Sequence, residues 1–576
     1  MMMNFNNKYE KGRFFALFSN KKYIALYAFA TISILLFGQY HFWSAFLGGA
    51  YLAIAIIITV IKKQYLNVSF GLPTLLIHLV VLSYFVSIIW AIDKGMATLG
   101  FFKYLTVSLI ILLADGTAVN KNKILETYAT IAGLSVILCC LLSFIPSIRR
   151  EVFYGGRLGG TFLYANSYGL YLLLSMVIIS TKETMRKIDY FFCFIIGLGI
   201  ILTGSRSIFV ISIVSILLLF FINKRAVVSF ACGALLASLL SFWFNNVGGI
   251  QRSISISLSS GEMLNRLAYY YDGSRLIINH PFGLGHYGWW YVQTSIQSSL
   301  YNVRLIHNWV LQLALDVGIV PTILLATSVL IVAFHKNSIL RTRLLILLIF
   351  GHSLIDYNLA FLSTAYIAIM AMQVDKNMVK ITNRKALTII IVVSLVLLCI
   401  YICLGAATFL SFIGNDTTAV RLYPFYTEAM EKIIITESDP DEAFVWAERI
   451  LVLNPYVHDA YDVKARVYAS KGLWLDAVDM KREFIMKSRL NGSDYDELLI
   501  YIHFALIEAD ANGDYDAMNE LIDLALSIPS LLDNVTASLN PLAYRLRHKP
   551  TLFLSEDSLR YLEYLYEYQA ALLDME

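Results

Sequence analysis

Charge is what this chain has least of. Asp, Glu, Lys and Arg make up 15% of its 576 residues, while 58% are hydrophobic and the mean hydropathy is +0.65. A soluble globular domain carries about 25% charged residues. A shortfall of that size excludes an ordinary soluble enzyme, because a larger core does not account for it. The net charge of +4 is small, and its basic residues fall mostly in short loops between apolar runs, which argues against a nucleic-acid surface. Cysteine is also scarce. Cys139, Cys140, Cys193, Cys232, Cys399 and Cys403 all lie inside apolar runs, with no C-x-x-C spacing. That excludes a disulfide framework and the usual zinc motifs. No small-residue cleavage site follows the first apolar run. Residues 1–21 are therefore expected to be a cytoplasmic tail ahead of an uncleaved signal-anchor.

What the chain has in abundance is apolar runs long enough for a bilayer. A membrane-spanning helix needs about 20 predominantly apolar residues. Candidate spans run roughly over 22–38, 42–60, 73–91, 99–114, 125–146, 161–180, 188–203, 206–222, 226–244, 306–334, 339–355, 357–374 and 385–411. The expected fold is all-α: about 12–13 transmembrane helices plus a soluble helical domain. Lys62-Lys63, Lys121, Lys123, the 182–187 and 223–225 loops, and the 335–343 and 375–385 loops fall on one side of such an arrangement. The positive-inside rule makes that side cytoplasmic. The other side carries Asp93, Lys94, the 147–160 loop, the Gly204-Ser205-Arg206 turn and the long 245–305 loop. Residues 22–413 then form the membrane core, with 414–576 outside. The 414–576 tail is acidic, with Ala465, Tyr468, Gly472 and Ala477 at tetratricopeptide-like spacing and a second, weaker unit turning at Gly513. Repeats of this kind usually bind a protein partner or support a neighbouring domain.

Several motifs have plain readings. Residues 283–288, GLGHYG, spell G-x-G-x-x-G, but a dinucleotide site needs a strand before it and a helix after it in a βαβ unit. Here the glycines follow His280-Pro281 in the long outer loop. A tight turn is expected, with Gly283 and Gly285 shaping the backbone and Trp289, Trp290 and Tyr291 as an interfacial aromatic belt. His280, His286 and His307 have no carboxylate or Cys at ligand spacing, so no metal is expected. The 510–516 stretch lacks the calcium-loop Gly at its sixth position and Glu at its twelfth, and reads as a polar turn.

The ionisable residues at span ends carry more. Arg206, Arg275, the His307-Asn308 pair, His352 and Asp356 all fall on the outer side. Taken singly, each has a bland reading: a snorkelling Arg or a capping pair. On one face together they suggest a site, since charge at membrane depth usually serves a cavity or a partner. Two arginines match diphosphate oxygens, a His takes a proton from a hydroxyl, and an acid orients that imidazole. Outside the cell there is no ATP, so a transferase there needs a pre-activated donor such as a polyprenyl-diphosphate sugar. A transporter or flippase of lipid-linked glycan would instead distribute charge through the depth of several spans. A mere anchor for the repeats gives no reason for these residues to converge.

The ordered motifs GRLGGTFLYANSYGLYL, LTGSRSIFVIS, SRLIINHPFGLGHYGWW, HNWVLQLALDVGIVP and HSLIDYN resemble the O-antigen ligase superfamily over roughly residues 20–410. That superfamily includes polysaccharide polymerases and protein O-oligosaccharyltransferases. The tail is similar to those appended to some bacterial members. The resemblance implies a multi-pass protein of the bacterial cytoplasmic membrane, with its N-terminus cytoplasmic and its C-terminal domain extracytoplasmic. It implies transfer of a glycan from an undecaprenyl-diphosphate donor to a glycan, lipid or protein acceptor, without cofactor or metal and with inversion. Polymerisation of a surface polysaccharide is the alternative. By the same resemblance Arg206 and Arg275 bind the diphosphate, His307 is the base and Asp356 is an essential acid. Arg157, Asn166, His280, Gly283, Gly285, Asn308 and His352 are supporting positions.

Overall fold

The structure, a computed structural model, describes residues 24–243, 261–372, 377–546 and 548–573. The expected cytoplasmic tail and the first part of the 245–305 loop lie outside the described residues. The chain is an all-α polytopic membrane protein, and among the described residues its few strands form two-stranded pairs. The core comprises α1 (Ile24–Leu35), α2 (Phe42–Lys63), α3 (Leu72–Ser87), α4 (Lys94–Thr117), α5 (Lys121–Leu142) and the short α6 (Pro146–Val152). It continues through α7 (Ala165–Ser180), α8 (Lys187–Thr203), α9 (Arg206–Phe220), α10 (Lys224–Trp243), α11 (Gly261–Asn279) and α12 (Gly288–Ile296). Last come α13 (Trp309–Val317), α14 (Ile319–Phe334), α15 (Leu340–Ser353), α16 (Leu362–Ala371) and α17 (Arg384–Phe412). By length and composition α2, α4, α5 and α17 can each cross a membrane, and six shorter apolar helices accompany them.

One expected span breaks. Residues 306–334 form two helices, α13 and α14, because Gly318 takes φ 95 and ψ 176, a conformation essentially confined to glycine. The break leaves α13 as a short helix whose first turn carries the preceding loop into the core.

Burial sorts the helices. On α7 every residue but Asn166 is buried, so it is the central post. On α17 only 22% of the most apolar window is buried, which leaves it on the lipid side. Between α8 and α10 the backbones nearly touch: a Cβ on Gly197 would strike the Phe230 carbonyl, and one on Gly233 the Phe194 carbonyl. Close approach through small residues is how helices associate in lipid, where apolar surface alone gives little preference. β1 (Leu66–Ser69) pairs antiparallel with β4 (Met378–Ile381), and β2 (Phe153–Tyr154) with β3 (Arg157–Leu158) in a hairpin.

The tail folds as α18 (Asp416–Leu422), α19 (Thr427–Thr436), α20 (Pro440–Leu453), α21 (His458–Ser470), α22 (Trp474–Lys487), α23 (Gly492–Asn512), α24 (Tyr515–Ala537) and α25 (Glu556–Leu573). Gly472 sits at the α21–α22 turn, and Gly513 at the α23–α24 turn expected of it. Packing does not break at residue 413. Ala419, Met430, Ala447 and Ala460 belong to the same buried cluster as the membrane helices, while a separate core begins near Ala465. The tail is fastened to one end of the bundle. Asn454 donates to Asp93 (3.1 Å), Arg304 pairs with Glu428 (2.8 Å), and the Asn540 N–H donates to the Ser298 carbonyl (2.9 Å).

Candidate active site

At that same end, turns from four parts of the chain converge. Asn308 caps α13, its side chain accepting from the Val310 (3.0 Å) and Leu311 (3.1 Å) N–H groups. Capping of this kind fixes the entry angle of the chain and places His307 just ahead of the helix. His307 Nδ1 lies 3.4 Å from Asp356 Oδ1; the imidazole is 23% exposed and the carboxylate 1%. The Tyr164 hydroxyl donates to Asp356 (3.0 Å) and sits 3.4 Å from His307 Nδ1. Asn166 Nδ2 donates to Asp356 Oδ2 (2.6 Å), and the Tyr357 N–H to Asp356 Oδ1 (2.8 Å). Arg157 in turn donates to Asn166 Oδ1 (2.7 Å) and the Thr203 carbonyl (3.0 Å). Asp356 lies in the turn between α15 and α16. Its burial works to raise the carboxyl pKa, but the hydrogen bond from His307 and the nearby His352 and Arg266 hold it below the usual carboxylate range.

With Nδ1 engaged by a carboxylate, His307 keeps Nε2 for a substrate proton. The Tyr270 hydroxyl donates to the His307 carbonyl and fixes the main chain there. His352 is different. It is fully buried, its Nε2 facing Ser207 Oγ (2.9 Å) and its Nδ1 the Asn358 amide (2.7 Å). It ties α15 to the start of α9, beside Arg206, and serves as a satisfied strut.

Sequence reasoning missed two side chains. Tyr164 bridges His307 and Asp356, yet in TFLYANSYG it reads as one more core aromatic. Arg266 on α11 donates to the Ile355 carbonyl (3.0 Å), beside Asp356. Arg206 pairs with Glu262 (3.8 Å), one helical turn before Arg266. Of the α11 arginines it is Arg266 that lies beside Asp356, while Arg206 meets the same helix one turn earlier. Arg275 stands nine residues further along α11, over the Tyr271 ring at 5.5 Å. The polar composition of α11 among apolar spans was the available signal for Arg266.

The glycine-rich stretch has a clear task. The Leu284 N–H donates to the Leu315 carbonyl (2.7 Å), Gly285 N–H to Asp316 (3.0 Å), and Ile319 N–H to Pro281 (2.9 Å). At Gly283 a Cβ would crowd the Asp316–Gly318 backbone. The loop thus clamps the far end of α13. His286 Nδ1 meets Asp316 Oδ2 (2.8 Å), and Gln312 donates to Asp316 Oδ1 (2.8 Å) while accepting from the Ile306 N–H (2.9 Å), next to His307. His280 is exposed and closes the end of α11. Trp289 corrects the interfacial-belt expectation. It is fully buried, parallel to the Tyr301 ring, with Nε1 donating to the Val303 carbonyl (3.1 Å). Trp290 lies under the Arg304 guanidinium.

Residues 191–326 match the O-antigen ligase family model. No curated protein matches the chain. The matched stretch holds Arg206, Arg266, Arg275 and His307, whereas Arg157, Tyr164, Asn166, His352 and Asp356 come from outside it. It supports a glycosyltransferase-type membrane enzyme of surface-glycan biosynthesis, using a lipid-linked donor and a glycan or protein acceptor.

Proposed function

We propose that the chain transfers a glycan from a polyprenyl diphosphate, undecaprenyl in bacteria, to an acceptor hydroxyl at the outer face of the cytoplasmic membrane. The observation that carries this is the His307–Asp356 pair, open on the histidine side, with Arg266 beside it and Arg206 paired to Glu262 one turn earlier on α11. His307 Nε2 takes the acceptor proton as the hydroxyl oxygen bonds to the anomeric carbon. The bond from that carbon to the diphosphate oxygen breaks, with inversion and without metal. Asp356 stabilises the imidazolium that forms. Arg206 and Arg266 match the oxygens of the departing diphosphate as bidentate donors. In this reading the tail lies outside, is tetratricopeptide-like and presents the acceptor. Charge gathered at one end of the bundle favours transfer over a flippase. Extension of a polysaccharide is the same chemistry with a growing chain as acceptor.

The test is a purified-enzyme assay with lipid-linked glycan. His307→Ala should lower transfer by about 10²–10⁴. Arg266→Ala should impair donor use more than Arg266→Lys. Full transfer by H307A would sink the reading.

A further inference from the structure

Past Arg266, α11 continues along a cavity of about 230 Å³. Its walls include Asp272, Arg275 and Asn279 of α11, Ser295 of α12, and Arg489 and Ser538 of the tail. Asp272 is 1% exposed. Its Oδ2 accepts from the Ser298 N–H (2.8 Å) and the Tyr301 hydroxyl (2.7 Å), whereas its Oδ1 has no partner among the described residues. Arg489 spends Nη2 on the Ile296 (3.3 Å) and Gln297 (3.1 Å) carbonyls and leaves a buried Nε–H unmatched. Buried polar atoms normally find partners. An unmatched acceptor and an unmatched donor on one cavity wall call for a ligand that offers both.

Packed rings join the cavity wall to the candidate active site. The His307 ring lies 6.0 Å from Tyr269, Tyr269 lies 5.7 Å from Tyr301, and Tyr301 bonds Asp272. Along α11 the nine residues from Arg266 to Arg275 rise about 13 Å, the reach of a short oligosaccharide. Two arginines against one carboxylate leave the wall net positive.

We propose that this cavity is a glycan subsite that takes a sugar bearing a carboxylate or phosphate. Arg275 and Arg489 hold the anionic group, and Asp272 Oδ1 accepts from a sugar hydroxyl. The inference rests on the glycan-transfer reading above, and its test needs no turnover. Saturation-transfer NMR on the full-length protein in detergent would use a tetrasaccharide alternating glucuronic acid and N-acetylglucosamine, beside its carboxyl-reduced neutral counterpart. The acidic probe should bind about tenfold more tightly than the neutral one. Arg275→Met, at an exposed position that tolerates the change, should erase that difference, and Asp272→Asn should weaken both probes. Equal binding of the two probes, unchanged binding by R275M, or no saturation transfer to either probe overturns the subsite. If binding fails while H307A still abolishes transfer, the subsite falls and the transfer reading stands. In the transfer assay, R275M that raises KM for the donor places the acidic sugar on the donor glycan, and a raised KM for the acceptor places it there. A rise in neither overturns the role.

Discussion

Among the described residues two histidines meet a buried carboxylate, and the tighter pair is not the candidate catalyst. His286 and Asp316 meet at 2.8 Å with the imidazole 3% and the carboxylate 0% exposed; His307 and Asp356 meet at 3.4 Å with the imidazole 23% exposed. Asp316 is surrounded by Tyr84, His286 and Gln312, and the clamp loop closes over it. A proton cannot be delivered to a site no substrate reaches. Geometry alone would have chosen the wrong pair. Access separates a strut from a base, and Gln312 links the two by holding both Asp316 and the residue before His307.

Parallel amide substitutions break this comparison most strongly. Asp356→Asn keeps shape but loses the charge that stabilises an imidazolium, so transfer should fall about 10²–10⁴-fold with melting temperature nearly kept. Asp316→Asn should do the reverse, lowering the melting temperature while transfer per folded molecule persists. Transfer kinetics and melting of both purified variants check this, and parallel behaviour of the two would erase the distinction.

Next in size is deletion of the strut. Asp316→Ala strands His286 and Gln312 in the core and should destabilise the fold by about 3–5 kcal/mol. Combining it with His286→Phe should recover part of that loss, because removing both members of a buried pair costs less than removing one. Denaturation of single and double variants measures the coupling. Additive losses would show that the pair is not a unit.

What the sequence disclosed follows the same division. His307, Asn308, Asp356 and Arg206 stood out as polar residues at the ends of apolar runs, where burying charge in lipid is costly, and Arg157 and Asn166 came with the family resemblance. The structure brings Asn166 to Asp356 and Arg157 to Asn166. Tyr164 was not legible, because a tyrosine among apolar residues looks like core until its hydroxyl partner is known. Arg266 and Arg275 share one polar helix, and only the bend of the chain at Ile355–Tyr357 decides which of them meets Asp356. The Gly318 break was hidden because apolar residues on both sides mimic one long span. Composition reports solvent, whereas a contact between residues 164 and 356 depends on topology.

Another acid, at the seam between tail and core, sharpens the comparison at smaller scale, since it has no imidazole partner. Glu431 of α19 is half-buried by exposure yet crowded by Glu428, Asp459 and Asp93. Burial first, then those three carboxylates, raises its pKa well above the ordinary glutamate value of 4.5, with Arg304 only partly opposing them. Below that ordinary value Glu431 is protonated in both folded and unfolded chains, and its contribution is fully present. As pH rises the unfolded chain ionises first, so stability declines until the pH passes the raised folded pKa. As pH rises above that ordinary value, the wild-type melting temperature should therefore fall by more than that of Glu431→Gln, which cannot ionise. Asp356 should add no matching slope over that rise, since the His307 contact already keeps it ionised. Identical slopes for wild type and E431Q would mean that the acids at the seam between tail and core do not set its pH response.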